Sequence, residues 1–123
     1  FSGQEPGSEI EIRDFCDINY GISFEMFGKI KIRGENSSSL FNYLENLNFP
    51  VARPRKLKAK LFQIFTLIQF WLKEKRFPLN GEVTWNFHKF IIGKSGRIAG
   101  HFSSDSDPFD VKLISCIKRE LSS

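Results

Sequence analysis

The stretch Val83-Thr84-Trp85-Asn86-Phe87-His88-Lys89-Phe90-Ile91-Ile92-Gly93-Lys94-Ser95-Gly96 couples an apolar run to a turn and carries two unusual side chains at its entrance. Phe87, Phe90, Ile91 and Ile92 are strand-prone and too uniformly apolar for a half-exposed strand. They predict a buried strand that enters a turn at Gly93–Gly96 and returns through Arg97-Ile98-Ala99-Gly100-His101-Phe102. Trp85 offers one N–H and no acceptor, and the Asn86 amide offers two N–H groups, so the pair can present neutral donors to an anion. Neighbours on a regular strand point to opposite faces, so the two converge only if the backbone bends. The turn signal Leu79-Asn80-Gly81-Glu82 just upstream supplies a place for that bend.

Working backwards, Ser8 and Glu11 have capping-box spacing and start a helix after a loop at Phe1–Gly7. Ile12, Phe15 and Cys16 share one face of it, and Gly21 suits its left-handed end. Ile22–Ile32 contains β-formers and predicts an extended stretch ending in a strand, Lys29-Ile30-Lys31-Ile32. Gly34-Glu35-Asn36-Ser37-Ser38 is a turn with good N-cap residues. Leu40, Phe41, Leu44 and Leu47 then follow at helical spacing, until Pro50 and Pro54 break the helix.

Lys56–Arg76 predicts a helix of unusual composition. Leu57, Leu61, Ile64, Phe65, Ile68, Trp71 and Leu72 form one stripe, which Phe62, Leu67 and Phe70 widen until little polar face remains. Arg53, Arg55, Lys56, Lys58 and Lys60 flank it on one side and Lys73, Lys75 and Arg76 on the other. Its apolar middle is short of the ~20 residues that a spanning helix needs. Such a helix needs cover on more than one side, either from a second subunit or from an anionic membrane surface. After the hairpin, Ser103–Pro108 is a loop, and Val111, Leu113, Ile114, Ile117 and Leu121 form the apolar side of a last helix ending near Ser122.

The Trp85-Asn86-Phe87-x-Lys89-Phe90-x-x-Gly93-x-x-Gly96 pattern resembles the tryptophan-asparagine motif of the glutathione peroxidase family. A second block agrees in the same order: Gly3-Gln4-Glu5-Pro6-Gly7-Ser8, Glu11-Ile12-x-x-Phe15-Cys16, and Asn19-Tyr20-Gly21-Ile22-x-Phe24-x-Met26-Phe27-x-Lys29-Ile30, with Gly34-Glu35-Asn36 following. These blocks cover about residues 1–47 and 83–104. Glu25 departs from the pattern, standing where many relatives have proline, and the 56–76 helix has no counterpart in the motifs.

The resemblance implies an α/β, thioredoxin-like sandwich of glutathione-peroxidase type. By it, residues 1–123 are one partial domain carrying an inserted helix at about 56–76, and the family's N-terminal strands and first helix are expected to be absent. The implied activity is reduction of hydrogen peroxide or organic hydroperoxides in response to oxidative stress, with glutathione or thioredoxin as reducing co-substrate and no other cofactor. Trp85 and Asn86 match the residues that position the nucleophile and stabilise the departing oxygen. The peroxidatic cysteine or selenocysteine has no counterpart here, and the catalytic glutamine precedes the residue matched by Phe1; Gln4 belongs to a neighbouring turn. The chain alone is expected to be inactive. Cys16, in the Phe15-Cys16 element, matches the resolving cysteine of the thioredoxin-dependent branch.

A net charge of +4 is mildly basic and sits largely between Arg53 and Arg76. It allows an alternative, a non-catalytic module binding anionic membrane or nucleic acid through residues 53–76, with nucleic acid the weaker partner. Two cysteines and two histidines fit no metal-ligand spacing. Cys116 reads as core, and His88 and His101 as strand residues without a catalytic part. Two cysteines make no disulfide scaffold, and no targeting signal is visible, so the expected location is cytoplasmic, with membrane association through the 56–76 helix.

Overall fold

The computed structural model describes residues 7–54 and 56–122, so the loop expected at Phe1–Gly7, including Gln4, lies outside the described residues up to position 6. The chain divides at Ser39/Leu40 into two compact units.

In the first unit, α1 spans Glu9–Tyr20 and begins as its sequence predicts. The Ser8 N–H donates to the Glu11 carboxylate at 2.7 Å, and the Glu11 N–H donates to Ser8 Oγ at 3.3 Å. Gly21 closes the helix in the left-handed conformation, φ 56°. Ile12 and Cys16 are half-buried, whereas Phe15 is exposed and meets Tyr20 edge-on at 5.9 Å. The strand expected at Lys29–Ile32 does not form; residues 21–38 hold no helix or strand. The backbone there bonds elsewhere: the Lys29 N–H donates to Glu9 Oε1 at 3.0 Å, and the Lys31 carbonyl accepts the Ser38 N–H at 2.7 Å. Both bonds compete with a ladder.

In the second unit the element order is α2 (Ser39–Asn46, whose first residue closes the first unit), β1 (Val51–Ala52), α3 (Leu57–Glu74), β2 (Lys89–Ile92), β3 (Ile98–Phe102) and α4 (Val111–Ser122). This is the expected α/β class, with a three-stranded mixed sheet of order β1-β3-β2. β2 and β3 form the predicted hairpin, antiparallel with Phe90 opposite His101. Its turn closes with the Gly93 N–H on the Arg97 carbonyl at 2.9 Å and Gly96 at φ 77°. β1, where proline-broken coil is the expectation, instead runs parallel to β3 with Val51 opposite His101.

α4 packs on β3 through Phe102, Leu113 and Cys116, with Ala52, Ile91, Ala99 and Ile117 around them. Cys116 is therefore core, as read, but Val111 and Leu121 of the expected apolar side are exposed. β2 is an edge strand and so is only partly covered, which corrects the buried strand expected at Phe87–Ile92: Phe87 lies outside it and Ile92 is exposed.

α3 turns an unexpected side inward. Ala59, Thr66 and Phe70 are buried and Phe62, Gln63 and Leu67 half-buried, whereas Leu57, Leu61, Ile64, Phe65, Ile68, Trp71 and Leu72 are exposed. Among the described residues, no helix is long and apolar enough to cross a membrane.

Candidate functional site

The entrance to the segment from Glu82 to His88 is held by a turn, an ion pair and a backbone hydrogen bond. A turn at Leu79–Glu82, with Gly81 at φ 85° and the Glu82 N–H on the Leu79 carbonyl at 3.2 Å, delivers the chain to it. A side chain at Gly81 would crowd the Asn48–Phe49 backbone, so glycine is required there twice over. Glu82 is buried and accepts both arms of the Arg76 guanidinium, at 2.8 and 2.6 Å, together with the Leu79 N–H. The Glu82 carboxylate raises the Arg76 pKa further and joins the end of α3 to this segment. The Val83 N–H donates to Glu45 Oε1 at 2.8 Å.

Trp85 follows, 8% exposed. Phe62 and Phe65 of α3 meet its ring edge-on, with centroids at 6.4 and 5.6 Å, the geometry that aromatic quadrupoles favour. Asn86 is half-buried, and the chain turns at Phe87, whose φ is +59° and whose ring is 75% exposed. The backbone thus bends at the Trp-Asn pair, as convergence of the two side chains requires. Cys16 stands in the first unit, half-buried on α1, and Trp85 and Asn86 in the second.

Residues that the sequence reading set aside complete this surrounding. His88 Nδ1 lies 2.8 Å from His101 Nε2, and His88 Nε2 lies 3.4 Å from Thr84 Oγ1. His101 is 1% exposed and stacks on Phe90 at 3.9 Å, with Phe41 of α2 edge-on behind Phe90. Burial pushes the His101 pKa down to about 4; the Phe49 backbone opposes this and the positive charge of Arg53 adds to it. A small cleft beside them is lined by Arg53, Gln63, Thr66, Thr84, His88 and Asp105, among others. Gln63 donates to Asp105 at 3.3 Å across it. Lys89, its pKa lowered by burial, donates to the Ser104 and Ser106 carbonyls at 3.3 and 2.7 Å. Among the described residues, no group of three His, Cys, Asp or Glu side chains is placed to hold a metal ion. The hairpin carries both histidines, but His88 precedes β2 and the register sets Phe90, not His88, opposite His101, so no spacing in the sequence names the pair.

Residues 1–45 match the family model described as glutathione peroxidase. The chain is 30% identical over 112 residues to the glutathione peroxidase homolog BsaA of Bacillus subtilis, covering 91% of this chain and 54% of that protein. It is 32% identical over 122 residues to the thioredoxin/glutathione peroxidase BtuE of Escherichia coli, covering 98% of this chain and 62% of that one. It is 30% identical over 108 residues to the glutathione peroxidase-like peroxiredoxin 2 of Saccharomyces cerevisiae, covering 88% and 51%. The chain thus spans half to three-fifths of the length of these relatives, and the similarity runs through the middle segment as well as the two motif blocks. A crystal structure of Trgpx in apo form aligns with a TM-score of 0.45 and 20% identity, over 88% of this chain and 67% of that one.

Proposed function

We propose that this chain, a glutathione-peroxidase-family sequence by the match at residues 1–45 and by relatives aligned along nine-tenths of it, belongs to a protein that reduces hydrogen peroxide or organic hydroperoxides. A thiolate or selenolate outside this chain attacks the peroxide, the O–O bond breaks, and the departing oxygen leaves as an anion that takes up a proton. Such a site needs fixed N–H donors that are not themselves acids. Trp85 and Asn86 are those donors in this reading. The observation that carries it is the packing of Trp85: the indole is buried against Phe62 and Phe65 and follows a segment tied down through Glu82 and Val83, the kind of preorganised donor that such a site needs.

The second half of the cycle restores the nucleophile. The oxidised sulfenic acid condenses with the Cys16 thiol to a disulfide and water, and a dithiol such as thioredoxin reduces that disulfide; glutathione is the other candidate reductant. The name of the E. coli relative includes both reductants, which supports this pair of choices. In the intact protein that carries this chain, Trp85→Phe removes the N–H and keeps a ring. The expected result is a loss of about 10²-fold in peroxide reduction, with Asn86→Ala similar. Wild-type rates in both would remove the pair from the chemistry.

A second reading has its own observation, the outward apolar stripe of α3. Leu57, Leu61, Ile64, Ile68 and Trp71 are exposed, and so are Lys56, Lys58, Lys60, Lys73 and Lys75 around them, a pattern that suits the interface of an anionic membrane. Flotation of the intact protein with liposomes containing anionic lipid, weakened by salt and by Leu61→Ser with Ile68→Ser, is the expected result. Protein that never floats but forms a dimer that those substitutions dissociate would assign the stripe to a second subunit.

A further inference from the structure

Phe87 poses a problem of local energetics. A bulky non-glycine residue in the left-handed region is strained, and the exposed Phe87 ring offers little packing in return. Some other group must hold the bend. The residues on either side of Trp85-Asn86-Phe87 are Thr84 and His88, and they approach each other through Thr84 Oγ1 and His88 Nε2 at 3.4 Å. The far side of the His88 ring, Nδ1, reaches His101 Nε2 at 2.8 Å. His101 cannot yield: it sits on β3, the central strand, almost wholly buried, with Phe90 stacked against it and paired opposite it in the sheet.

We propose that Thr84, His88 and His101 form a hydrogen-bonded strut that positions the Trp85–Asn86 bend against the central strand. The strut rests on the reading of Trp85 and Asn86 given above for its effect on rate, but not for its existence. Its parts fit chemically. Each ring has one N–H and one lone pair when neutral, so one proton lies between the imidazoles and the outer nitrogen of His88 remains to meet a hydroxyl, which can give or accept. His101, held neutral at ordinary pH by burial, suits such a chain. His88 and His101 are positioning residues here; neither is assigned contact with the peroxide.

The test uses the geometry of amide isosteres. An asparagine side chain places its terminal amide near the Nδ1 position of histidine, and a glutamine places it near Nε2. His88→Asn should therefore keep the bond to His101, and His88→Gln should lose it. In the intact protein made Trp71→Phe, so that Trp85 supplies the sole indole signal of this chain, the Trp85 indole N–H resonance is followed by NMR alongside peroxide kinetics. The expected result is a shifted or broadened Trp85 resonance in His88→Gln, near-normal in His88→Asn, with kcat/KM reduced about tenfold or more in the first and restored in the second. Thr84→Val removes the Thr84 end of the strut, as His88→Asn does, and leaves the bond to His101, so it should give the same small residual change as His88→Asn. A Trp85 resonance unchanged in His88→Gln would overturn the strut. If the resonance moves while Trp85→Phe retains full activity, the strut stands and the catalytic reading of Trp85 falls.

Discussion

Acidification is expected to weaken the fold through His101, and the size of the effect follows from its burial. The unfolded chain holds this imidazole near its ordinary value of about 6.5, and the folded chain holds it down at about 4. Because the folded value is the lower one, the unfolded state binds more protons in between. The stability is present above about 6.5 and is lost as the pH falls towards 4, with no further loss from this group below that. Over the whole window the linkage amounts to about 3 kcal/mol, and between pH 7 and pH 5 to about 2 kcal/mol. The assay is urea unfolding of the intact protein at both pH values, followed by far-UV circular dichroism. His101→Gln is the control: it keeps an amide near the Nε2 position and removes the titration. The expected result is a fall of about 2 kcal/mol in unfolding free energy for the wild type in excess of any fall in the variant. Equal pH dependence in the two proteins would refute the assignment of the acid sensitivity to His101.

Glu82→Gln leaves the Arg76 guanidinium without its charged partner and weakens the tie between α3 and the Trp85 segment. Arg76 is half exposed and can turn to water, so the expected cost is about 1–3 kcal/mol in urea unfolding rather than that of a fully buried pair. Gly100→Ala would set a β-carbon 2.8 Å from the Phe102 ring and 3.0 Å from Cys116 Sγ, and should lower stability by about 1–3 kcal/mol. Cys16→Ser in the intact protein should react once with peroxide and then stall with thioredoxin as reductant; sustained turnover would return Cys16 to a structural role.

Local signals carried far in this chain, and long-range ones did not. The Ser8/Glu11 capping box, Gly21, the helical spacing of Leu40 and Leu44, and the Gly93–Gly96 turn each act within a few residues, and each appears where its chemistry puts it. The bend at Trp85-Asn86 was legible in the same way, from the turn signal just upstream. β1 was not, because two residues have no pattern and the pairing of Val51 with His101 is made by the fold. Lys29–Ile32 has a strand's composition, but Glu9 and Ser38 take its backbone groups first. The inward side of α3 was misread because its buried members include the small Ala59 and the polar Thr66 beside Phe70, residues that an apolar stripe passes over, while Leu57, Leu61, Ile64 and Ile68 stay outside. The clamp of Arg76 and Glu45 on Glu82 and Val83, and the histidine pair, join residues whose partners no local pattern names.

The parallel pairing of β1 with β3 also sets an order of events. The β2–β3 hairpin closes over a short turn and can form within microseconds, whereas β1 reaches β3 only after the whole excursion through α3 has been brought back. A two-residue strand gains little by that closure until α4 and Ala52 have met over the Phe102 cluster. Substitutions at Val51 or Ala52 should therefore speed unfolding and leave the folding rate nearly unchanged, while substitutions in the hairpin slow folding itself.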